Sequence, residues 1–224
     1  PAEYSGSEVI HDDDSEQVEA RFTCIDGRSI MLHCPAEAYA FVYSDEINME
    51  SVGVYLKEVL ATHLPENVEN ITLHLREEVI NSPYYHYTHG LKKHDGNCQR
   101  IAHGHRSRID IILDGKVCVE SQQYWADRWA DIYIATREDE IAYSDRKLKG
   151  QVSNEADYYC FAYESSQGYF ELLIPKSDCE VIETDSTVEC LAQYLLEEQK
   201  KRTPDGVCQV IAYEGVGKGA TVKG

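Results

Sequence analysis

Shifted by 139 residues, the chain matches itself. Glu50 falls on Glu189, Tyr55 on Tyr194 and Leu56 on Leu195, and the same shift sets Phe22 on Phe161, Pro65 on Pro204 and Val68 on Val207. With two residues dropped, Glu77 falls on Glu214. Six coincidences at one offset exceed chance, and a repeated stretch must fold into the same module each time. Only about 80 residues precede the second copy, so the organisation expected is a partial first unit over residues 1–82, truncated or degenerate, and a complete unit over residues 83–224. Residues 1–20 hold seven acids and no lysine or arginine, which predicts a solvated, loose opening.

Periodicity supplies the elements. Ala20–Ile25 and Ser29–His33 flank Asp26-Gly27, a hairpin signal. Met49–Ala61 puts Val52, Leu56, Val59 and Leu60 on one helical face, and Asn70–Glu77 alternates as a strand. In the second unit, Tyr84–Leu91 and His105–Leu113 read as strands, and Asp114-Gly115 turns the chain into Lys116–Glu120. Tyr124–Arg137 reads as a helix, Tyr158–Tyr163 and Tyr169–Ile174 as a hairpin, and Val207–Glu214 as the closing strand. Ser186–Gln199 reads as a helix opened by a capping box, Ser186 with Glu189. The fold class expected is α+β: antiparallel sheet with two helices packed on one face in each unit.

Composition narrows the function. The net charge is −19 and the apolar fraction 42%. A surface so acidic repels phosphate backbones, which argues against nucleic acid as a partner. No apolar run reaches the ~20 residues a membrane helix needs, and no secretory leader opens the chain. Eight cysteines without a CxxC pair fit reduced thiols in a cytoplasm.

Chemistry concentrates in one window. His89, His94, His103 and His105 surround Cys98. His103 and His105 are two apart, so on a strand both imidazoles leave the same face. With His89 on a neighbouring strand, three imidazoles share that face, a set that suits zinc with an open fourth position. Residues 92–110 also hold Lys92, Lys93, Arg100, Arg106 and Arg108 against Asp95 and Asp110, a cationic stretch in an anionic chain that would steer a polyphosphate. Ordinary outward-facing strand charges give the same pattern.

Tyr85-x-Tyr87-x-His89-x-Leu91, then Cys98, then His103-Gly104-His105, resembles the pattern of the 6-pyruvoyl- and 6-carboxytetrahydropterin synthases. Ser186-Thr187-Val188-Glu189 and Ala212-Tyr213-Glu214 match that family's later landmarks, a Thr-x-Glu helix start and a closing strand with a glutamate. The likeness spans residues 84–224 and, more weakly, the helix and closing strand of residues 40–80. It implies the tunnelling fold, here as a tandem: a hairpin, two helices and a second hairpin per unit, assembled into homo-oligomeric barrels with sites at subunit junctions.

The resemblance further implies zinc on His89, His103 and His105, Cys98 as the base or nucleophile thiol, and Glu214 as the anchor of a pterin ring. A zinc ion polarises side-chain oxygens and acidifies the adjacent C–H; a thiolate near cations takes that proton; a carboxylate accepts two N–H bonds from an amino-pyrimidinone edge. Thr187 is a candidate substrate contact through its hydroxyl. Cys98 is alternatively a buried thiol or a fourth, closing zinc ligand, and Glu214 a surface carboxylate. His86 and His94 read as supporting or solvent groups. The family's Asp-His relay finds its nearest counterpart in Asp145-Arg146, and an arginine cannot shuttle a proton near neutrality. The activity implied is a zinc-dependent lyase of the 6-carboxytetrahydropterin synthase type, acting on 7,8-dihydroneopterin triphosphate in queuosine or pterin synthesis. The alternatives are the 6-pyruvoyl type and a catalytically impaired paralogue that keeps zinc and pterin.

Overall fold

The computed structural model describes residues 4–11, 16–76 and 78–224. It contains two compact units, Pro1–Ala38 with Ile80–Gly224, and Tyr39–Val79. In chain order the elements are β1 (Tyr4–His11), β2 (Gln17–Cys24), β3 (Ser29–Pro35), α1 (Met49–Ala61), β4 (Tyr84–His89), β5 (His103–Leu113), β6 (Lys116–Val117) and α2 (Val119–Arg128). Then come β7 (Ala130–Thr136), β8 (Glu140–Ile141), β9 (Tyr158–Ser165), β10 (Gly168–Pro175), β11 (Cys179–Ile182), α3 (Val188–Arg202), β12 (Cys208–Gly215) and β13 (Lys218–Lys223). Among the described residues no helix is long and apolar enough to cross a membrane.

The smaller unit is built around α1. Its expected bounds hold, and Asn48 caps it: Oδ1 accepts from the amides of Glu50 and Ser51, while the Asn48 amide donates to Ser51 Oγ at 2.9 Å. The strand expected at Asn70–Glu77 does not form over residues 70–76, and Glu77 lies outside the described residues. Alternation alone makes no strand, because a strand needs a neighbour to complete its ladder.

In the larger unit one sheet has the order β1-β2-β3-β10-β9-β8, with every pairing antiparallel. The Asp26-Gly27 hairpin forms as expected; Gly27 sits at φ +86° and the Asp26 carboxylate accepts from the Arg28 amide and Nε. The opening is not loose where it is described. β1 ladders onto β2 with Val9 and Ile10 exposed, because backbone pairing along a sheet edge requires no apolar side chain.

The second sheet runs β11-β7-β4-β5-β12-β13, with β6 on β5. The pairings β4–β5 and β5–β12 are antiparallel as expected, β13 adds an unexpected antiparallel strand beyond the expected closing strand, and β11–β7 and β7–β4 are parallel. Helices α2 and α3 cover one face of this sheet, where Trp125, Trp129, Leu191 and Leu195 meet Tyr85, Tyr87, Ile109, Ile111 and Val210. Each such side chain contributes roughly 1.5–3 kcal/mol on full burial. The helix expected at Tyr124–Arg137 is instead α2, ended by Trp129 and followed by β7. Asp131 takes φ +58° as the chain reverses, and the β-branched and aromatic run Ile132-Tyr133-Ile134 then pairs beside β4.

Candidate functional site

Alternation along the strands decides which side chains share the site. Tyr85, Tyr87 and His89 of β4 point to the helix-covered face, as do His103, His105, Ser107, Ile109 and Ile111 of β5, and residue 89 sits opposite residue 103. The core of aromatic and aliphatic residues thus ends in three imidazoles. Their ring centroids are 4.3 Å (His89–His103), 5.2 Å (His89–His105) and 5.4 Å (His103–His105) apart, and one ligand nitrogen from each lies within 4.8 Å of the others.

Each ring is held by its Nδ1. The Nδ1–H of His103 donates to the Arg100 carbonyl at 3.0 Å and that of His105 to the Glu214 carbonyl at 2.9 Å. His89 Nδ1 meets Ser186 Oγ at 2.8 Å. A carbonyl only accepts, so His103 and His105 carry a proton on Nδ1, which leaves Nε2 as the atom each turns to the cluster. The Nε2 atoms of His89 and His103 are buried without a partner. Burial, reinforced by the charges His103 and His105 would carry, pushes His89 down to about 2, and burial also lowers His103, so both rings are neutral near pH 7. Neutral, oriented, unsatisfied imidazoles are the donor set a zinc ion needs, and the residues present fit it. Tyr87 walls the cluster, its ring 5.1 Å from His89 and 5.5 Å from His105.

Cys98 rides on the short turn Gly96–Gln99, half-buried. That loop is fastened from behind: Tyr163 OH donates to the Gln99 carbonyl at 2.7 Å, Ser166 Oγ to Gln99 Oε1 at 2.9 Å, and Tyr133 OH to the Ile101 carbonyl at 2.9 Å. Cys98 is not among the clustered ligand atoms, so the candidate metal group among the described residues has three members. Glu214 comes from β12 beside a bulge between Tyr213 and Gly215, and its side chain is only 13% exposed. It pairs with Lys218 across the tip of the β12–β13 hairpin.

Several expected residues land differently. Thr187, not Ser186, caps α3, its Oγ1 accepting from the Cys190 amide, so the Ser186–Glu189 capping box does not form. Ser186 is fully buried because it serves His89. Asp145 is exposed, bonded by Ser144 Oγ. Arg146 stacks 3.6 Å from the Tyr143 ring and donates to the Tyr143 carbonyl. Their segment is held by Glu171 of β10, in the other sheet, and Asp145 makes no hydrogen bond or ion pair with the clustered histidines. His86 points to the opposite face of β4 and meets Asp131 at 2.5 Å.

Of the five cations in residues 92–110, all but Arg100 are engaged away from the histidines. Lys92 pairs with Asp139 and Glu138, and Lys93 with Glu138 and Asp185. Arg106 lies over Tyr84 and Arg108 over Tyr213, on the face away from the histidines. Neighbouring acids and strand alternation decide this, and neither follows from a local charge sum. Ser186 and Lys218 are the site residues missed. A serine before a helix reads first as a cap, and a lone lysine near the end of an acidic chain gives no signal.

A sequence model of the family described as 6-pyruvoyl tetrahydropterin synthase matches residues 78–224. Among solved structures, 6-pyruvoyl tetrahydropterin synthase from Plasmodium vivax is similar at 20% identity, with a TM-score of 0.42, covering 64% of this chain and 91% of that one. The enzyme of the same name from Plasmodium falciparum is similar at 17% identity and a TM-score of 0.42, covering 65% and 94%. No curated protein matches. The matched stretch takes in every histidine of the cluster together with Cys98, Ser186 and Glu214, and this chain belongs to the 6-pyruvoyl tetrahydropterin synthase family.

Proposed function

We propose that the chain is a zinc-dependent pterin synthase of the lyase class, acting on 7,8-dihydroneopterin triphosphate and resembling 6-carboxytetrahydropterin synthase. The observation that carries this reading is the convergence of three imidazoles, two with orphaned Nε2 atoms, beside a nearly buried carboxylate. His89, His103 and His105 would hold the metal, one ion per chain. When bound, the ion supplies a Lewis acid that polarises the oxygens of a pterin side chain.

The protein's own residues do the rest. Glu214 accepts the paired N–H donors of the ring and so selects and orients it. Cys98, as thiolate, takes the side-chain proton, and the fastened 99–101 stretch keeps the thiol in place. Thr187 contributes its hydroxyl where α3 begins. The chain works in a reducing cytoplasm, in keeping with eight free cysteines, and as a homo-oligomer joined through the free edges of its sheets. The partial first unit over residues 1–82 and the complete unit over 83–224 remain part of this reading.

Zinc-loaded protein incubated with 7,8-dihydroneopterin triphosphate tests it, with products identified by mass. Loss of triphosphate together with two carbons marks the carboxy type; loss of triphosphate alone marks the pyruvoyl type. Metal analysis of His103→Ala and His105→Ala should show near-complete loss of zinc, and full occupancy in both would end the metal assignment. A second reading, a zinc- and pterin-binding paralogue without turnover, is favoured by Arg146 standing where the relay histidine is expected. It predicts pterin binding that Glu214→Ala abolishes, with no product.

A further inference from the structure

We propose that Lys218 is the specificity-determining cation of this site, exchanging Glu214 for the anionic tail of the ligand. The inference rests on the pterin reading above. Lys218 starts β13, immediately after the Val216-Gly217 turn, where Gly217 takes φ +70° and folds the hairpin tightly enough to set residue 218 beside Glu214. The ammonium is 77% exposed and the carboxylate 13%. The Glu214 carbonyl accepts from His105 Nδ1–H, so the residue that Lys218 pairs with adjoins the histidine cluster. Lys92 and Lys93 are paired with Asp139, Glu138 and Asp185, and Arg106 and Arg108 point to the opposite sheet face; Arg100 is half-buried on the turn before His103, which its carbonyl holds.

Two demands meet at this pair. A ring that presents paired N–H donors needs the Glu214 carboxylate, which Lys218 occupies in the ligand-free chain. An exposed ion pair is weak and readily broken, but breaking it leaves a cation without its partner. A ligand that carries a phosphorylated or carboxylated tail satisfies both groups at once: the ring takes Glu214 and the tail takes Lys218. A neutral ring must separate the pair and replaces only half of it. Lys218 therefore sets a preference for pterins with an anionic side chain, even though the chain as a whole is strongly acidic.

Calorimetric titration of the zinc-loaded full chain with 7,8-dihydroneopterin and with its triphosphate provides the test. Wild type should prefer the triphosphate. Lys218→Met should bind the neutral pterin more tightly and the triphosphate more weakly, reducing the preference by roughly tenfold or more, the scale of one charge-assisted contact. Lys218→Arg should keep the preference, which separates a charge role from a packing role. If Lys218→Met shifts both ligands equally, or neither, Lys218 is not the determinant while the pterin reading stands. If neither pterin binds the wild-type chain, the pterin reading falls and takes this inference with it.

Discussion

The two nitrogens of His89 have different tasks. Nδ1 is satisfied by the buried Ser186 hydroxyl, and Nε2 is left for a metal. Partners of this kind tune metal affinity by ~10–100-fold, so Ser186→Ala should weaken zinc binding by that order in a chelator competition while the fold stays intact. Unchanged affinity would leave the serine as filler. In the metal-stripped chain His89 is pushed down to about 2, against ~6.5 when unfolded. The unfolded chain gains a proton below ~6.5 that the folded chain refuses, so stability is complete above that pH and falls as pH drops toward 2. Metal-stripped wild type should therefore lose more Tm between pH 7.5 and 5 than His89→Asn; equal losses would clear His89 of the effect. The thiols divide similarly. Burial pushes Cys160 and Cys179 up to about 12, so brief iodoacetamide at pH 7.5 should label Cys98 before either of them in a peptide map.

Helices α2 and α3 are joined by a buried polar chain as well as by apolar packing. Trp125 Nε1 donates to Gln199 Oε1 at 2.9 Å, and Gln199 Nε2 donates to Ser121 Oγ at 3.1 Å. Gln199→Ala leaves the indole N–H unsatisfied in a fully buried position, at a cost of roughly 1–3 kcal/mol, and the urea midpoint should fall accordingly; an unmoved midpoint would contradict the network's role. Periodicity located α1 and the β9–β10 hairpin because their patterns are local. It carried the second unit's first helix on to Arg137, because aromatic and β-branched residues sit in either state and the Asp131 reversal leaves no mark in a hydropathy pattern.

Within the larger unit, the two hairpins that the 139-residue offset superposes, β2–β3 and β9–β10, lie side by side. β3 pairs antiparallel with β10, Leu32 opposite Leu172. Each hairpin also lends one buried carboxylate to the segment between them: Glu171 accepts from the amides of Lys147 and Leu148, and Glu19 from those of Lys149 and Gly150. Deleting residues 1–38 bares the edge of β10 and removes half of this clamp. Limited trypsin digestion should then cut after Lys147 and Lys149 in the truncated chain and spare both bonds in the whole one; equal protection would show that Glu171 suffices.

The order of chemistry-bearing residues belongs to the sequence. The spacing of His103 and His105 commits both to one strand face, the Tyr84–His89 stretch supplies the neighbouring strand, and neither needs more than the two-residue period of a β-strand. What surrounds those imidazoles was decided in three dimensions. Ser186 reaches His89 across 97 positions of chain and Glu214 reaches His105 across 109. Lys218 came to the site through a hairpin turn, while Lys92 and Lys93 were drawn to acids elsewhere and Arg106 and Arg108 to the other strand face. A strand's face follows from its local period, whereas hydrogen-bond partners and the pairing of charges follow from which distant segments the packed sheets bring within 3 Å.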